Sequence, residues 1–416
     1  MRLRGHLVPL VCAGLLALLP AGAGSAAVPA SSGRVTPAPA AADLAVRLEA
    51  LLGQHSVLAA DLMRSRIRGD DDFVQAANAA LGRNTTAMTG LVGQLFGQPA
   101  AGALGPQWSR HVVALVTYAG ALADQDDAAK ASAARQLARF EQQLGDFFAT
   151  ASRGRLPRSA ARAAVMQHVE HLTAQADAYA AGDYATADRL YRMGYQHTYD
   201  LGLALADALL PAADRDVLRE PIWRLRSQLG RLLAEHAVLI EDVTRAAVTG
   251  TRDFAASGRM LNGNTRDLGA AMDTLFGATA ARRFQSLWSD HVDQLVAYAA
   301  ATAARDPQRQ RAARDGLRAF ERRMSAFLAT ATGDRMTGPA LARALLGHDT
   351  MLLRHADAYA ARNYTGAHEV AYETYDHMFE LARQLADAFG ATVAERLPKG
   401  GAQTGFGGMA VLVEAR

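Results

Sequence analysis

LLGQHSVLAADLMR (51–64) and LLAEHAVLIEDVTR (232–245) are one helical stretch written twice, each with a histidine at its fifth position, His55 and His236. The duplication spreads outward from this pair. QWSRHVVALVTYA (107–119) matches LWSDHVDQLVAYA (287–299), LARFEQQLGDFFATA (137–151) matches LRAFERRMSAFLATA (317–331), and ADAYAAGDY (176–184) matches ADAYAARNY (356–364). The copies align from about residue 46 to 209 onto about 226 to 389. The periodicity is helical throughout, with no strand pattern. The expected fold is therefore all-α: two tandem up-and-down bundles of about six helices each.

Breakers place the first copy's helices near 43–68, 71–96, 101–124, 127–151, 157–181 and 184–209. Asp70 and Asp183 follow glycines and read as N-caps after glycine C-caps. Residues 43–209 form repeat 1 and 224–390 repeat 2, joined by a connector at 210–223 that carries Pro211 and Pro221. Residues 391–416 read as a disordered, glycine-rich tail.

The chain starts with a stretch that reads as a secretory signal over residues 1–27. Arg2 and Arg4 precede an apolar run from Leu7 to Leu19, too short for a membrane span, with small residues after it. Residues 28–42 are rich in Ala, Pro and Ser and read as a flexible linker. The lone cysteine, Cys12, falls inside the signal, so the exported chain is expected to have neither disulfide nor thiolate ligand. Lysine occurs only at Lys130 and Lys399, all other basic side chains being arginine, a bias that fits an actinobacterial protein. Secretion or cell-wall association is the expected location.

A net charge of +3 over 416 residues, without a basic stripe, argues against a nucleic-acid partner. An isoelectric point near 9.1 leaves room for association with anionic envelope polymers.

Each copy keeps four histidines at matching places: His55, His111, His168 and His197 in the first, His236, His291, His348 and His377 in the second. In a helical hairpin, residues equally far from the turn share one height. His55 lies 14 residues before Gly69, and Asn84 lies 14 after Asp70; His168 and His197 flank Gly182-Asp183 by 14 each. His111 lies 14 before Gln125, whose mirrored position is Arg139-Phe140. Fourteen helical residues cover about 21 Å, so these side chains should share one mid-plane. The second copy repeats the arithmetic with His236, Asn264, His291, His348 and His377.

Neutral imidazoles buried at one level are costly unless something satisfies their nitrogens. A shared metal ion is one solution; ordered waters and carboxylates are another. Asp200 and Glu380, three residues after His197 and His377, are candidates to orient those rings. Asn84 and Asn264 sit at ligand height, and Glu141 and Glu321 are the carboxylate candidates on the fourth helix. Trp108 and Trp288, with Tyr118 and Tyr298, should pack above and below the site. His171, His355 and His368 have no counterparts in the other copy.

Several imidazoles without a thiolate suit copper, zinc or iron. A ferritin-type di-iron site would need a Glu-x-x-His pair on two helices, which the relevant helices lack. A hemerythrin-like site would need a second histidine four residues after the first, where His168 has His171 at three.

The segments LLAEHAVL (232–239), FQSLWSDHVDQLVAYA (284–299), HADAYAARNY (355–364) and YDHMFELARQLADAF (375–389) resemble a family of exported helical proteins of Gram-positive bacteria. Members often carry the label of copper amine oxidase-domain proteins. The resemblance implies copper, favoured here over zinc or iron. It does not carry amine oxidase catalysis, because that chemistry needs a quinone-forming tyrosine in Asn-Tyr-Asp/Glu. Asn363-Tyr364 is followed by Thr365.

Three functions fit. The first is a non-enzymatic protein that holds a transition metal. The second is a redox or oxygen-handling metalloprotein using the same histidines. The third is a structural or interaction module of the envelope that binds no metal.

Overall fold

Tight turns at the expected breaks set the helix ends. Gly69 adopts φ 81° at the end of the first helix, a left-handed conformation that costs glycine little. Arg362 takes φ 58° at the turn where the first copy has Gly182, so the second copy accepts a strained L-residue there. Asp183 caps its helix by accepting from the Thr186 N–H. Asp70 makes no such cap; its carboxylate accepts from Arg68 Nε at 3.0 Å instead.

A computed structural model describes residues 41–210, 215–216 and 218–396, except the side chains of 41, 71, 72, 395 and 396. The expected signal, nearly all of the linker and residues 397–416 of the tail lie outside the described residues. Among those described, twelve long helices and no strand occur. Repeat 1 comprises α1 (Ala41–Arg68), α2 (Asp71–Phe96), α3 (Gln98–Asp124), α4 (Asp127–Ala151), α5 (Arg158–Ala180) and α6 (Tyr184–Leu209). Repeat 2 comprises α7 (Pro221–Thr249), α8 (Phe254–Phe276), α9 (Ala278–Ala303), α10 (Pro307–Ala331), α11 (Gly338–Ala360) and α12 (Tyr364–Arg396). The third helix starts at Gln98 rather than 101, because Pro99 suits a helix's first turn. The last helix runs through 391–396, which composition had assigned to the tail. Thr392 anchors this extension: its hydroxyl lies 2.8 Å from the carbonyls of Thr332 and Ala388.

Consecutive helices pack as antiparallel neighbours, but the first helix of each copy is more than a neighbour. α1 touches α2, α3, α5 and α6, and α3 also meets α5. An inner triangle of α1, α3 and α5 results, and α7, α9 and α11 repeat it. Residues 48–60 of α1 are buried on every side, the expected state of a helix with no charged face over most of its length. α6 lies close enough to α1 that a Cβ on Gly202 would come within 2.7 Å of Glu49 Cα.

The two repeats share one continuous apolar core. α1 packs on α7, α6 on α8, and α2 on α12. Matching residues meet near a pseudo-twofold axis. Tyr195 donates to the Arg231 carbonyl, and its counterpart Tyr375 donates to the Ala50 carbonyl. The two hydroxyls lie 3.3 Å apart. Ion pairs join the copies as well: Arg192 pairs with Glu235 at 2.8 Å and Arg64 with Asp242 at 3.8 Å. A cavity between the repeats is lined by Asp61, Arg64, Glu241, Arg245, His355 and His368. No helix among the described residues is long and apolar enough to cross a membrane.

Candidate metal centre

The inner triangle of each repeat brings together three histidines, one per helix. In repeat 1 they are His55 on α1, His111 on α3 and His168 on α5; in repeat 2, His236 on α7, His291 on α9 and His348 on α11. Within each triad, one ring nitrogen per residue lies within 4.8 Å of the other two. Tetrahedral ligands at zinc–imidazole bond lengths sit about 3.4 Å apart, so a small inward closure brings three nitrogens onto one ion. All six rings are at most 3% exposed. Burial holds every one of them below the ordinary imidazole range, His111 and His236 down to about 3. They are therefore neutral at physiological pH, and a neutral imidazole is the form that binds a metal.

The fourth histidines stand apart. His197 lies near His168, yet its Nε2 is 2.9 Å from the Ala164 carbonyl and its ring packs on His171 at 5.5 Å. His377 makes the same contact with Ala344 at 3.1 Å. Both rings are only half-buried. The difference from the shared-level expectation is one of direction, since both residues face the outer groove between α5 and α6 or between α11 and α12.

Asn84 and Asn264 do lie at the histidine level, where they brace helices. Asn84 donates to the Leu51 carbonyl and Gln54, and Asn264 to the Leu232 carbonyl and Glu235. The mirrored position on the fourth helix is filled by an aromatic ring. Phe140 stacks on His111 at 4.2 Å, and Phe320 on His291 at 4.3 Å. Asp200 and Glu380 are exposed, the latter paired with Arg383. Glu141 is half-buried, its carboxyl raised by burial and then by Glu170. Tyr118 and Tyr298 bond Asp177 and Asp357. His171 packs on His197, while His355 and His368 line the inter-repeat cavity.

The triads differ in what surrounds them. In repeat 1, Trp108 Nε1–H donates to His55 Nδ1 at 3.3 Å, His55 Nε2 lies 3.1 Å from His111 Nε2, and His111 Nδ1 meets the Trp108 carbonyl. One proton assignment satisfies all three contacts: Trp108 gives to His55, His55 gives to His111, and His111 gives back to Trp108. In repeat 2 no protein group hydrogen-bonds either nitrogen of His236, His291 or His348, or the indole nitrogen of Trp288. One carboxylate oxygen does come close, Asp349 Oδ1, at 3.4 Å from His291 Nδ1. Burial pushes the Asp349 carboxyl well up, and the neighbouring Glu321 carboxyl adds to the rise. Val169 occupies the matching position in repeat 1.

Sequence reasoning passed over Asp349. A signal was present: Asp349 follows His348 directly and lies four residues after the core residue Leu345, on the apolar stripe of α11. It also passed over the buried ion pairs between repeats, although Asp61/Asp242 and Arg64/Arg245 recur in the first matched segment.

No protein-family model, curated protein or solved structure matches the chain.

Proposed function

We propose that this chain is an exported, non-enzymatic protein that holds a transition-metal ion on buried imidazoles, copper ahead of zinc. The observation that carries the reading is the His236–His291–His348 triad, with six buried ring nitrogens that no protein group satisfies. Each unsatisfied buried polar atom costs roughly 1–3 kcal/mol, and a shared ion removes several such costs at once. The donor set is all nitrogen, with no thiolate in the described chain. Imidazoles suit copper and zinc, and copper heads the order of divalent affinity at such sites. Burial at 3% or less argues for holding rather than turnover, because a substrate would reach the ion only if helices parted. Export rests on residues 1–27 and on the resemblance to exported helical proteins.

Elemental analysis of protein purified from its own export route tests this. Copper or zinc should copurify and should vanish when all six triad histidines become glutamine. A native sample free of transition metal after growth in copper- and zinc-replete medium would refute the proposal.

A further inference from the structure

We infer that the two triads are unequal: repeat 2 takes the first ion, with Asp349 positioning His291, while in repeat 1 His55 and His111 are tied up by hydrogen bonds with each other and Trp108, and only His168 keeps both ring nitrogens unpaired. This rests on the metal-binding reading above and specifies which site is loaded and what supports it.

Two independent differences carry it. The first is the hydrogen-bond state. To bind through Nε2, His55 must give up the contact to His111 and move its proton to Nδ1. There it would face the Trp108 Nε1–H, donor against donor. Loading repeat 1 therefore breaks two hydrogen bonds and sets up a repulsion. Loading repeat 2 breaks none, because His236 and Trp288 make no such contact.

The second difference is charge. A divalent ion in a dry pocket of neutral ligands is poorly compensated. Repeat 2 sets the acidic side chain of Asp349 3.4 Å from His291 Nδ1, where a bound cation would favour its ionised form; repeat 1 has Val169 in its place. Asp349 does not join the three ligand nitrogens within 4.8 Å of one another. It lies 3.4 Å from His291 Nδ1, from where a carboxylate closing in to accept from Nδ1–H would fix the tautomer and leave Nε2 for the ion. Asp349 is thus a positioning residue. In repeat 1 that role falls to the Trp108 carbonyl, a weaker, uncharged acceptor.

The test titrates the full chain with Cu(II), and separately with Zn(II), using His291→Gln, His111→Gln, Asp349→Asn and the unsubstituted protein. Bound metal is read by elemental analysis after desalting, and the Cu(II) site by electron paramagnetic resonance. The first equivalent should bind in the unsubstituted protein and in His111→Gln alike, and weaken at least tenfold in His291→Gln. Asp349→Asn should weaken it about 10–100-fold, the usual effect of losing such a partner. It should also shift the Cu(II) spectrum, which a merely structural role would leave unchanged once metal is bound. Circular dichroism identifies any variant that fails to fold, and alanine then replaces glutamine at that position. If both histidine variants lose the first equivalent to the same extent, or His111→Gln loses more, the inequality is overturned while metal binding stands. An unshifted spectrum and unchanged affinity in Asp349→Asn overturn the role of that residue. If no variant and no unsubstituted protein binds either metal, the underlying proposal falls instead.

Discussion

The triads of the two repeats use the same three residue types on the same three helices and arrive at opposite states. In repeat 1 a tryptophan and two histidines close a ring of hydrogen bonds; in repeat 2 the same side chains leave their nitrogens unpaired beside a buried carboxyl. Duplication copies the ligands, but a slight change in ring approach and one substitution, Val169 against Asp349, decide what each set is poised to do. Burial drives both sets of imidazoles to the neutral form, so the contrast lies in donors and acceptors rather than in ionisation.

The largest effect should be stabilisation by metal. An ion present a thousand-fold above its dissociation constant adds about 4 kcal/mol to the folded state. Thermal melts with and without Cu(II) should show that gain in the unsubstituted chain and in His111→Gln, and not in His291→Gln. Equal gains in both variants would erase the distinction between the repeats.

The next largest sits at the repeat interface, where Glu241 faces the shared cavity and its counterpart is Ala60. Burial pushes the Glu241 carboxyl up to about 8 from an ordinary 4.5. The folded chain then keeps a proton that the unfolded chain releases. The stability this group contributes is complete below about pH 4.5 and is lost as pH rises toward about 8. The buried histidines act in the opposite sense: their folded values are depressed, so stability falls as pH drops below about 6.5. Glu241→Gln should therefore gain on the unsubstituted protein, on the order of a few kcal/mol, between about pH 5 and pH 9. A melting-temperature difference that stays constant with pH would contradict this.

Within the metal-free protein the tryptophans should separate the triads directly. Trp108→Phe removes the donor to His55 Nδ1 and should cost about 1–3 kcal/mol beyond the loss of packing. Trp288→Phe removes an N–H that has no partner, and that extra cost should be absent. Denaturant unfolding of the two variants gives the comparison, and equal costs would argue against the closed ring in repeat 1.

The smallest effect probes the pseudo-twofold axis, where the copies do behave alike. Tyr195→Phe and Tyr375→Phe each remove one buried hydroxyl bond to the other repeat's first helix, worth about 0.5–1.5 kcal/mol. Tyr375→Phe should sit at the upper end, because its hydroxyl also lies 3.4 Å from Tyr199. Denaturant midpoints check the order.

The sequence was a good guide wherever a property is local or repeated. Apolar periodicity and turn residues gave the helices close to their observed ends, and the exceptions have local causes in Pro99 and Thr392. The site was legible in part, for a geometric reason. Counting residues from a hairpin turn fixes how far along its helix a side chain lies, and His197 does lie near His168. Counting does not fix the rotation of the helix about its own axis. That rotation is set by packing, and it turns His197 and His377 toward the carbonyls of Ala164 and Ala344. Asp349 was hidden for a related reason: beside a histidine, an aspartate reads as the start of a polar face until the neighbouring helices are seen to enclose it.

The amino-acid order alone thus determined a duplicated helical unit and the helices that carry its histidines, because helix period and turn chemistry act over a few residues. Tertiary structure alone decided that α1, α3 and α5, with α7, α9 and α11, face inward together, and that two histidines of one triad are tied by hydrogen bonds while all three of the other are unpaired. Those outcomes depend on helix rotation and on contacts between residues more than 50 positions apart, such as His55 with Trp108 and His111 or His291 with Asp349. No local rule encodes which of several equally spaced side chains will meet.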